Sequence, residues 1–338
     1  MQHCIAIDDV CAWPNLTRLP DGTIVSTIFN QPCHGSWEGD AECWASADGG
    51  KTWQRRGTPA QHAPGTNRMN LAAGLANNSD LVVLCSGWSK RPKAGEPPIA
   101  FSDSAILKAW ICRSSDGGST WRVDRESFPG AVDERATQLI PFGDILPGAD
   151  GLLGVSCYCG HKSGPHAGQD SAWFLTSQDD GKTWGSPVPI SATNHNETTP
   201  LHLGDGRWIV ASRTQSEGRL DQFSSCDNGK TWTFDQPLSL PSQHPAHLLR
   251  LQDGRVLLTY GVRCRKPYGV DARVSANEGQ IWSAPARVAA YDEVDSGYPS
   301  AAQNADGSLV TAYYAAKEPA CDRYHMGVAL WQPEELFP

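Results

Sequence analysis

The chain has 338 residues, in which 37 Asp and Glu outnumber 28 Lys and Arg, so its formal net charge is −9. A negative chain with no run of basic residues lacks the positive face that phosphate contacts require, and we expect no nucleic-acid partner. With 33 Gly, 24 Pro and 13 Trp, and no apolar run long enough to cross a membrane, the sequence predicts a turn-rich β protein rather than a membrane protein.

Cysteine usage and the first residues bear on the compartment. Eleven cysteines are an odd number, and the chain has Cys157-x-Cys159 but no CxxC, so neither a zinc site nor a complete disulfide framework is indicated. We expect reduced thiols and no metal or other cofactor. The sequence begins Met-Gln-His-Cys without an apolar signal core, which favours a cytoplasmic protein over a secreted or periplasmic one whose leader is absent.

The first predicted element is a short strand at Cys4-Ile-Ala-Ile7, and after it two kinds of turn alternate along the chain. The first kind is Asp-Gly or a close variant, and it precedes strand-like runs such as Thr23-Ile-Val-Ser-Thr-Ile28. It occurs six times, at Asp21-Gly22, Asn78-Ser-Asp80, Asp150-Gly151, Asp205-Gly206, Asp253-Gly254 and Asp306-Gly307.

The second kind, here called the Asp-box turn, reads Ser-x-Asp-x-Gly-x-Thr-Trp and follows a strand-like run. It combines an Asx-type turn residue, a glycine able to take positive φ and a tryptophan that packs between layers, which is typical of a hairpin turn. Four copies begin at Ser46, Ser114, Ser177 and Ser225, and a decayed copy begins at Ser275. We therefore expect their aspartates to be structural.

Six Asp-Gly turns alternating with five Asp-box turns indicate six repeats, each a four-stranded meander with two tight turns on one side. Such sheets, repeated radially, close into a ring. The sequence therefore predicts an all-β fold, a six-bladed β-propeller with Asp-box turns, in which residues 1–338 form one domain. The last unit has no Asp-box turn, and we expect the N-terminal strand to complete that blade and close the ring.

The functional face is predicted from the direction of the strands. If both kinds of turn lie at the bottom, the starts of the innermost strands and the loops between second and third strands lie on top. The predicted starts are Trp13, Phe142, Glu197, Pro245 and Tyr298, and the upper loops include Cys33 to Asp40, Trp88 to Arg91, His161-Lys162, Arg213 to Arg219 and Arg263 to Tyr268. A ligand site is expected where these polar and aromatic residues converge.

At three of these positions the sequence resembles the sialidases, which are six-bladed Asp-box glycoside hydrolases, and the resemblance covers the whole chain through its repeats. Glu197 opening one inner strand and Arg213 closing the next match a segment of that family. Tyr298 stands at the position of the family's nucleophile. Arg263 or Arg265 matches another arginine of the triad that binds the substrate carboxylate. The resemblance implies an exo-glycosidase acting on a terminal acidic sugar.

The sequence also departs from the family at the first arginine of the triad. Where the first arginine of the triad is expected, the chain has Trp13, and Arg68 on the adjacent inner strand is a candidate replacement. Arg18 lies next to the lower turn, so we expect it at the far end of its strand. The family's acid/base Asp precedes the first Asp-box turn.

Asp40 is the nearest match to that acid/base Asp, with Glu38 and His34 as rivals. The implied roles are Tyr298 as nucleophile, Glu197 as its base and Asp40 as acid/base, with Arg213 and Arg263 binding the carboxylate. A neutral phenol suits a substrate whose carboxylate is on the carbon being attacked, because an anionic nucleophile would be repelled.

Two alternatives remain open at this stage. One is a uronate-directed glycosidase or lyase on the same propeller, using His34 or His244 with Tyr298. The other is a propeller that binds carbohydrate without catalysis. His244-x-x-His247 is not expected to bind a metal, because this spacing on a strand directs the two side chains to opposite faces. The sequence indicates no oligomeric state.

Overall fold

A computed structural model describes residues 1–316 and 323–338, and their fold is the expected six-bladed β-propeller. Blade 1 contains β2 (Cys11–Arg18), β3 (Ile24–Phe29), β4 (Ala41–Ser46) and β5 (Gln54–Ala60). Blade 2 contains β6 (Asn70–Leu75), β7 (Leu81–Trp88), β8 (Ile106–Ser114) and β9 (Arg122–Asp124). Blade 3 contains β10 (Ile140–Pro147), β11 (Leu153–Gly160), β12 (Asp170–Ser177) and β13 (Val188–Ser191).

The second half of the ring follows the same plan. Blade 4 contains β14 (His195–Gly204), β15 (Arg207–Thr214), β16 (Leu220–Ser225) and β17 (Thr233–Pro237). Blade 5 contains β18 (Gln243–Arg250), β19 (Val256–Val262), β20 (Tyr268–Ser275) and β21 (Ala286–Tyr291). Blade 6 contains β22 (Gly297–Gln303), β23 (Leu309–Ala315), β24 (His325–Trp331) and, outermost, β1 (Gln2–Asp8).

Helix is confined to short segments in the described part of the chain. They are the 3₁₀ turns Phe101–Asp103 and Ala149–Gly151 and the helix α1 (Pro333–Leu336). None of these helices is long and apolar enough to span a membrane.

The N-terminal strand closes the ring, as the sequence predicted. β1 pairs antiparallel with β24, from Gln2 opposite Leu330 to Asp8 opposite His325. Ile7 is buried in the apolar layer between blades 6 and 1. Because the first and last strands of the chain share one sheet, closure depends on contacts between its two ends.

The Asp-box turns are built by one repeated set of hydrogen bonds. In the turn of blade 2, Asp116 Oδ1 accepts the backbone N–H of Thr120 at 2.9 Å, and the Thr120 hydroxyl donates to Oδ2 at 2.6 Å. Ser114 Oγ donates to the same carboxylate and accepts the N–H of Gly118. The corresponding bonds recur around Asp48, Asp179 and Asp227, and Asn277 keeps part of the set in the decayed copy. Both carboxylate oxygens of Asp116 therefore accept hydrogen bonds within the turn.

One feature that the repeats do not predict is the pairing of blades 2 and 3. Their inner strands β6 and β10 run parallel and pair from Gly143 opposite Ala72 to Ile145 opposite Gly74. A Cβ on Gly74 would lie 1.9 Å from the Ile145 carbonyl oxygen. This close approach therefore requires glycine.

The upper ends of four inner strands are irregular, and the irregularity helps to form the site. The pairing register shifts near the upper end of β2, β14, β18 and β22. Trp13 and Tyr298 lie within two of these bulges with positive φ of 102° and 49°, which is uncommon for bulky residues. A bulge changes the direction of a side chain relative to the regular pleat.

Candidate functional site

A cavity of about 940 Å³ opens at the centre of the upper face. Three kinds of residue form its wall: a charged and aromatic group near the ring axis, a polar group from blades 3 and 4, and a mostly apolar group from blades 2 and 3. These are Trp13, His34, Glu197, Arg213, Arg263 and Tyr298; Thr137, Gln138, Tyr158, Gly160, Lys162, Asp170 and Asn196; and Met69, Trp88, Phe101, Ser102, Ser104, Ala105, Ile106 and Ile140.

At the centre of the cavity, Tyr298 from blade 6 meets Glu197 from blade 4. The Tyr298 hydroxyl donates to Glu197 Oε1 at 2.5 Å, and both side chains are buried. The Glu197 N–H is bound by the side-chain oxygen of Asn196 at 2.8 Å, which holds the strand entry in place. The two residues are 101 positions apart in sequence, and the ring brings them together as the resemblance implied.

Two arginines adjoin this pair. Arg213 Nη1 donates to Glu197 Oε2 at 2.7 Å. Arg263 donates through Nη2 to the Ser296 carbonyl at 2.5 Å, and its guanidinium lies 5.2 Å from the centroid of the Tyr298 ring. The buried Nε atom of each arginine has no hydrogen-bond partner in the described structure. One carboxylate, Glu197, thus faces two guanidinium groups, so this part of the cavity can accommodate an added anion.

The electrostatic environment assigns the proton in the pair. Burial by itself would raise the pKa of Glu197, but the Arg213 charge and the hydrogen bonds from Tyr298 and Arg213 outweigh it and hold the pKa below its ordinary value. Burial, and then the Glu197 charge, raises the pKa of Tyr298 well above its ordinary value. The resting pair is therefore a neutral phenol hydrogen-bonded to a carboxylate.

Trp13 lies next to Tyr298, and it occupies the place where the resemblance implied the first arginine of the triad. Its ring stacks on Tyr298 with a centroid distance of 4.9 Å and an interplanar angle of 23°. Arg18 lines a separate cavity at the lower ends of the inner strands, as its position beside the lower turn predicted. The part of the upper cavity around Glu197 therefore has two arginines and an aromatic surface.

His34 lies in the cavity, and its partner is a residue that the sequence did not single out. His34 Nδ1 lies 2.8 Å from Asp295 Oδ1. The hydroxyls of Tyr314 and Tyr324 donate to the two oxygens of the same carboxylate, at 2.6 and 2.5 Å. Asp295 is three residues before Tyr298, in the loop that enters the inner strand of blade 6, and this proximity was the signal available in the sequence.

Asp40 and Glu38, two candidates for the acid/base, do not line the cavity. Asp40 Oδ1 accepts the His62 backbone N–H at 2.7 Å and contacts His62 Nδ1 at 2.6 Å. Glu38 accepts the backbone N–H of Gly65. The loop before β4 leans towards blade 2, where Gly39 bridges to Asn67, so its later carboxylates bind the segment between β5 and β6. The prediction of Asp40 as acid/base is corrected on this geometry.

Arg68 and Arg265 are likewise outside the cavity lining. The Arg68 guanidinium packs 3.4 Å from the centroid of the Trp110 ring and donates to the Lys108 carbonyl, between blades 1 and 2. Its neighbour Met69 lines the cavity instead, because successive side chains alternate along the extended chain. Arg265 is exposed on the loop after β19. Arg68 is therefore not a replacement for the missing arginine, and Arg263 is the arginine of its loop that enters the cavity.

His244 is placed behind the cavity wall. It is 6% exposed, and burial, followed by the charges of Arg213 and Arg263, lowers its pKa to about 3. His247 instead contacts Asp144 on the ring axis, with 2.9 Å between Nε2 and Oδ2. The two imidazoles therefore have different neighbours, and His244 is neutral near pH 7.

Asp170 is a second residue that the sequence analysis missed. It begins β12, lines the polar wall and accepts the Asn196 amide at 2.9 Å. Burial raises its pKa, and the Glu197 charge adds to this increase against the effect of the Asn196 hydrogen bond. Its only sequence signal was its place at the start of a third strand, which no motif marks.

Comparison with known proteins agrees with the repeats. A family model described as a BNR repeat-like domain matches residues 22–311. No curated protein matches the chain in sequence. Among solved structures, a protein of unknown function from Dyadobacter fermentans DSM 18053 is similar with a TM-score of 0.83 and 22% identity over 98% of both chains.

Several sialidases are also similar in structure. The Hadza microbial sialidase Hz136 has a TM-score of 0.72 at 17% identity, and NanB sialidase from Streptococcus pneumoniae has 0.73 at 12%. Trypanosoma rangeli sialidase in complex with the inhibitor DANA has 0.68 at 17%. The matches cover 96%, 97% and 98% of this chain but 66%, 69% and 56% of those proteins, respectively. At these identities the likeness concerns the fold.

Proposed function

We propose that this protein is a retaining exo-glycosidase that releases a terminal acidic sugar. The chain belongs to the family of BNR repeat-like domains and to the sialidase-like superfamily of propellers. The observation that carries the proposal is the 2.5 Å hydrogen bond from the Tyr298 phenol to Glu197, in a cavity that also contains Arg213 and Arg263. This combination supplies a neutral nucleophile, its base and a binding place for an anion.

The charge of the substrate explains why a phenol suits the reaction. In a ketosidic sugar acid the carboxylate is on the anomeric carbon, so a carboxylate nucleophile would be repelled as it approached. The Tyr298 phenol avoids this repulsion, but its raised pKa makes it a weak nucleophile unless its proton is removed during attack. Glu197 is ionised and already accepts that proton in a hydrogen bond. In this mechanism, Tyr298 forms the covalent glycosyl-enzyme while Glu197 acts as base.

Arg213 and Arg263 would bind the substrate carboxylate. Arg213 has a second role in this mechanism, because its contact with Glu197 keeps the base ionised. A sugar carboxylate between the two guanidinium groups would be held by charge-assisted hydrogen bonds. The candidate substrates are therefore sialic acid and related keto-sugar acids at the non-reducing end of a glycan.

A panel of fluorogenic glycosides tests the proposal. It contains 4-methylumbelliferyl α-ketosides of N-acetylneuraminic acid, 2-keto-3-deoxynononic acid and 2-keto-3-deoxyoctonic acid, with the β-glucuronide for comparison. We expect turnover of at least one ketoside, with the free sugar first released in the substrate's anomeric configuration by ¹H NMR. An unsaturated product would indicate elimination, and binding without turnover would indicate a carbohydrate-binding propeller; either result contradicts the proposal.

A variant pair then assigns the nucleophile. Tyr298→Phe should lower kcat at least 1,000-fold while leaving the fold intact, because only the attacking oxygen is lost, and a 2,3-difluorinated substrate analogue should label Tyr298 in the wild type. Tyr260→Phe removes the hydroxyl of a buried tyrosine of blade 5 that does not line the cavity, and it should keep wild-type turnover. Near-normal turnover by Tyr298→Phe, or a label on another residue, would contradict a tyrosine nucleophile.

A further inference from the structure

The loop that carries His34 is anchored against blade 2. Gly35 has a φ of 68°, and a Cβ there would lie 2.1 Å from the Met69 sulfur. The Gly35 carbonyl accepts the Asn67 amide at 2.9 Å. His34 is therefore held at the cavity by a turn that only glycine can make without displacing Met69.

The imidazole faces the nucleophile position across the cavity. The centroid of the His34 ring is 6.3 Å from that of Tyr298 and 5.8 Å from that of Trp13, with both rings edge-on to it. The His34 side chain is 32% exposed, so a leaving group or a water molecule can reach it. Because Nδ1 faces Asp295, Nε2 is the nitrogen available to the cavity.

The contacts of Asp295 allow it to orient the His34 imidazole. Burial would raise its pKa, but the hydrogen bond and charge of His34 and the hydroxyls of Tyr314 and Tyr324 hold the pKa far below its ordinary value. An ionised carboxylate at this position accepts the Nδ1 proton of either the neutral or the charged imidazole. The arrangement has the geometry in which a carboxylate fixes the tautomer of a catalytic histidine.

We propose that His34 is the catalytic acid/base of the glycosidase reaction, and that Asp295, Tyr314 and Tyr324 are its positioning residues; this inference rests on the proposed function. In the first step, Nε2–H of the His34 imidazolium gives its proton to the glycosidic oxygen as the bond from that oxygen to the anomeric carbon breaks. The Tyr298 oxygen forms the new bond to that carbon, and its proton passes to Glu197. In the second step, neutral Nε2 takes a proton from water, whose oxygen attacks the anomeric carbon, and Glu197 returns the proton to the departing Tyr298 oxygen.

The chain contains a matched pair for comparison. Asp40 and His62 are also a carboxylate and an imidazole in contact, at 2.6 Å, but neither lines the cavity. Asp170 is a carboxyl group that does line it, on the polar wall. The experiment must therefore distinguish whether His34, Asp40 or Asp170 acts as the acid/base.

Dependence on the leaving group provides this test, using the ketoside that the wild-type protein hydrolyses. The 4-methylumbelliferyl group departs without protonation, whereas a methyl or lactosyl group needs an acid. His34→Ala and His34→Gln should each lower kcat/KM at least 100-fold for the methyl and lactosyl glycosides, but less than 10-fold for the 4-methylumbelliferyl one. Azide should raise turnover of the activated substrate by His34→Ala and give a glycosyl azide, because a small anion can replace the water that His34 would activate.

The positioning residues and controls complete the experiment. Asp295→Asn and Tyr324→Phe should show the same selective loss to a smaller degree, while His62→Gln and Asp40→Asn should stay within 3-fold of wild type on all three glycosides. Circular dichroism and Tm check that each variant is folded.

An equal loss on all three glycosides by folded His34 variants would overturn the inference. So would a selective loss in Asp40→Asn or Asp170→Asn without one in the His34 variants. A wild-type protein inactive on the entire panel would instead contradict the proposed function, so the two failures are distinguishable.

Discussion

In the proposed mechanism, Arg213 joins substrate binding to the ionisation of the base. Its contact with Glu197 is a charge-assisted hydrogen bond of 2.7 Å within a largely buried site, where one such bond contributes about 1.5 to 3 kcal/mol. Its pKa is raised because the Glu197 charge outweighs the effect of burial, so it stays charged at any working pH. Its replacement is therefore expected to affect both binding and the chemical step.

Arg213→Lys should lower kcat/KM for an acidic ketoside by roughly 10- to 100-fold, since an ammonium cannot reproduce the planar contact with two oxygen atoms. Steady-state kinetics on the 4-methylumbelliferyl ketoside measure this change. Arg250→Lys makes the same substitution beside the lower cavity and should leave the kinetics unchanged. If Arg213→Lys had wild-type kcat and KM, Arg213 would not belong to the binding site.

At the scale of the element, the Asp-box turn is the repeated unit of stability. Its carboxylate joins the serine at the start of the motif to the threonine near its end, so one side chain satisfies several donors of a tight turn. The tryptophan that ends the motif donates through its indole N–H to the glycine carbonyl in three of the copies, at Trp53, Trp121 and Trp232. These bonds lie on the face away from the cavity and involve no site residue.

Asp116→Ala or Asp179→Ala should therefore lower the free energy of unfolding by about 1 to 3 kcal/mol, because N–H and O–H donors lose their acceptor. Turnover per folded molecule should not change. Denaturant titration gives the stability, and activity normalised to folded protein gives the turnover. Loss of activity in a variant as stable as wild type would contradict a purely structural role.

The same turn has a defined pH dependence at Asp48. The hydroxyl and then the N–H of Thr52 lower the pKa of Asp48 to about 2. A carboxyl with a lowered folded-state pKa contributes stability that is fully present above its ordinary value of about 4 and is lost as the pH falls through the folded-state value. The difference in Tm between wild type and Asp48→Ala should therefore shrink between pH 5 and pH 2. A difference that stayed constant over that range would contradict ionic stabilisation of the turn.

At the scale of the whole molecule, the ring depends on β1. This strand covers the outer edge of β24, and its inward side chains fill the layer between the last blade and the first. Ile7→Ala should lower the free energy of unfolding by about 2 to 5 kcal/mol, because Ile7 is 3% exposed and its loss leaves a cavity.

Ile5→Ala is the matched control for ring closure. Ile5 is on the same strand but 37% exposed, so its loss should cost about 1 kcal/mol or less. Denaturant unfolding monitored by tryptophan fluorescence compares the two. Equal effects of the two substitutions would show that β1 does not contribute to closure through its buried side chains.

The sequence by itself determined the number of blades, the positions of their lower turns and the face that carries the candidate site. This was possible because an Asp-box turn is formed by eight consecutive residues, and the hydrogen bonds of the turn join those residues to one another. The positions of Glu197, Arg213 and Tyr298 followed from the same register. The closing strand was also predictable, since the last blade lacked an outer strand and the chain began with one.

The tertiary structure alone decided which residues besides Glu197, Arg213 and Tyr298 face the cavity. Asp295 meets His34 across 261 positions, and no local pattern relates them. Asp40 stands in the expected loop but binds His62, because the loop leans towards blade 2. Met69 lines the cavity and its neighbour Arg68 does not, because successive side chains of the extended chain point to opposite sides. Loop paths and bulges depend on contacts between blades, and a repeat motif contains no information about them.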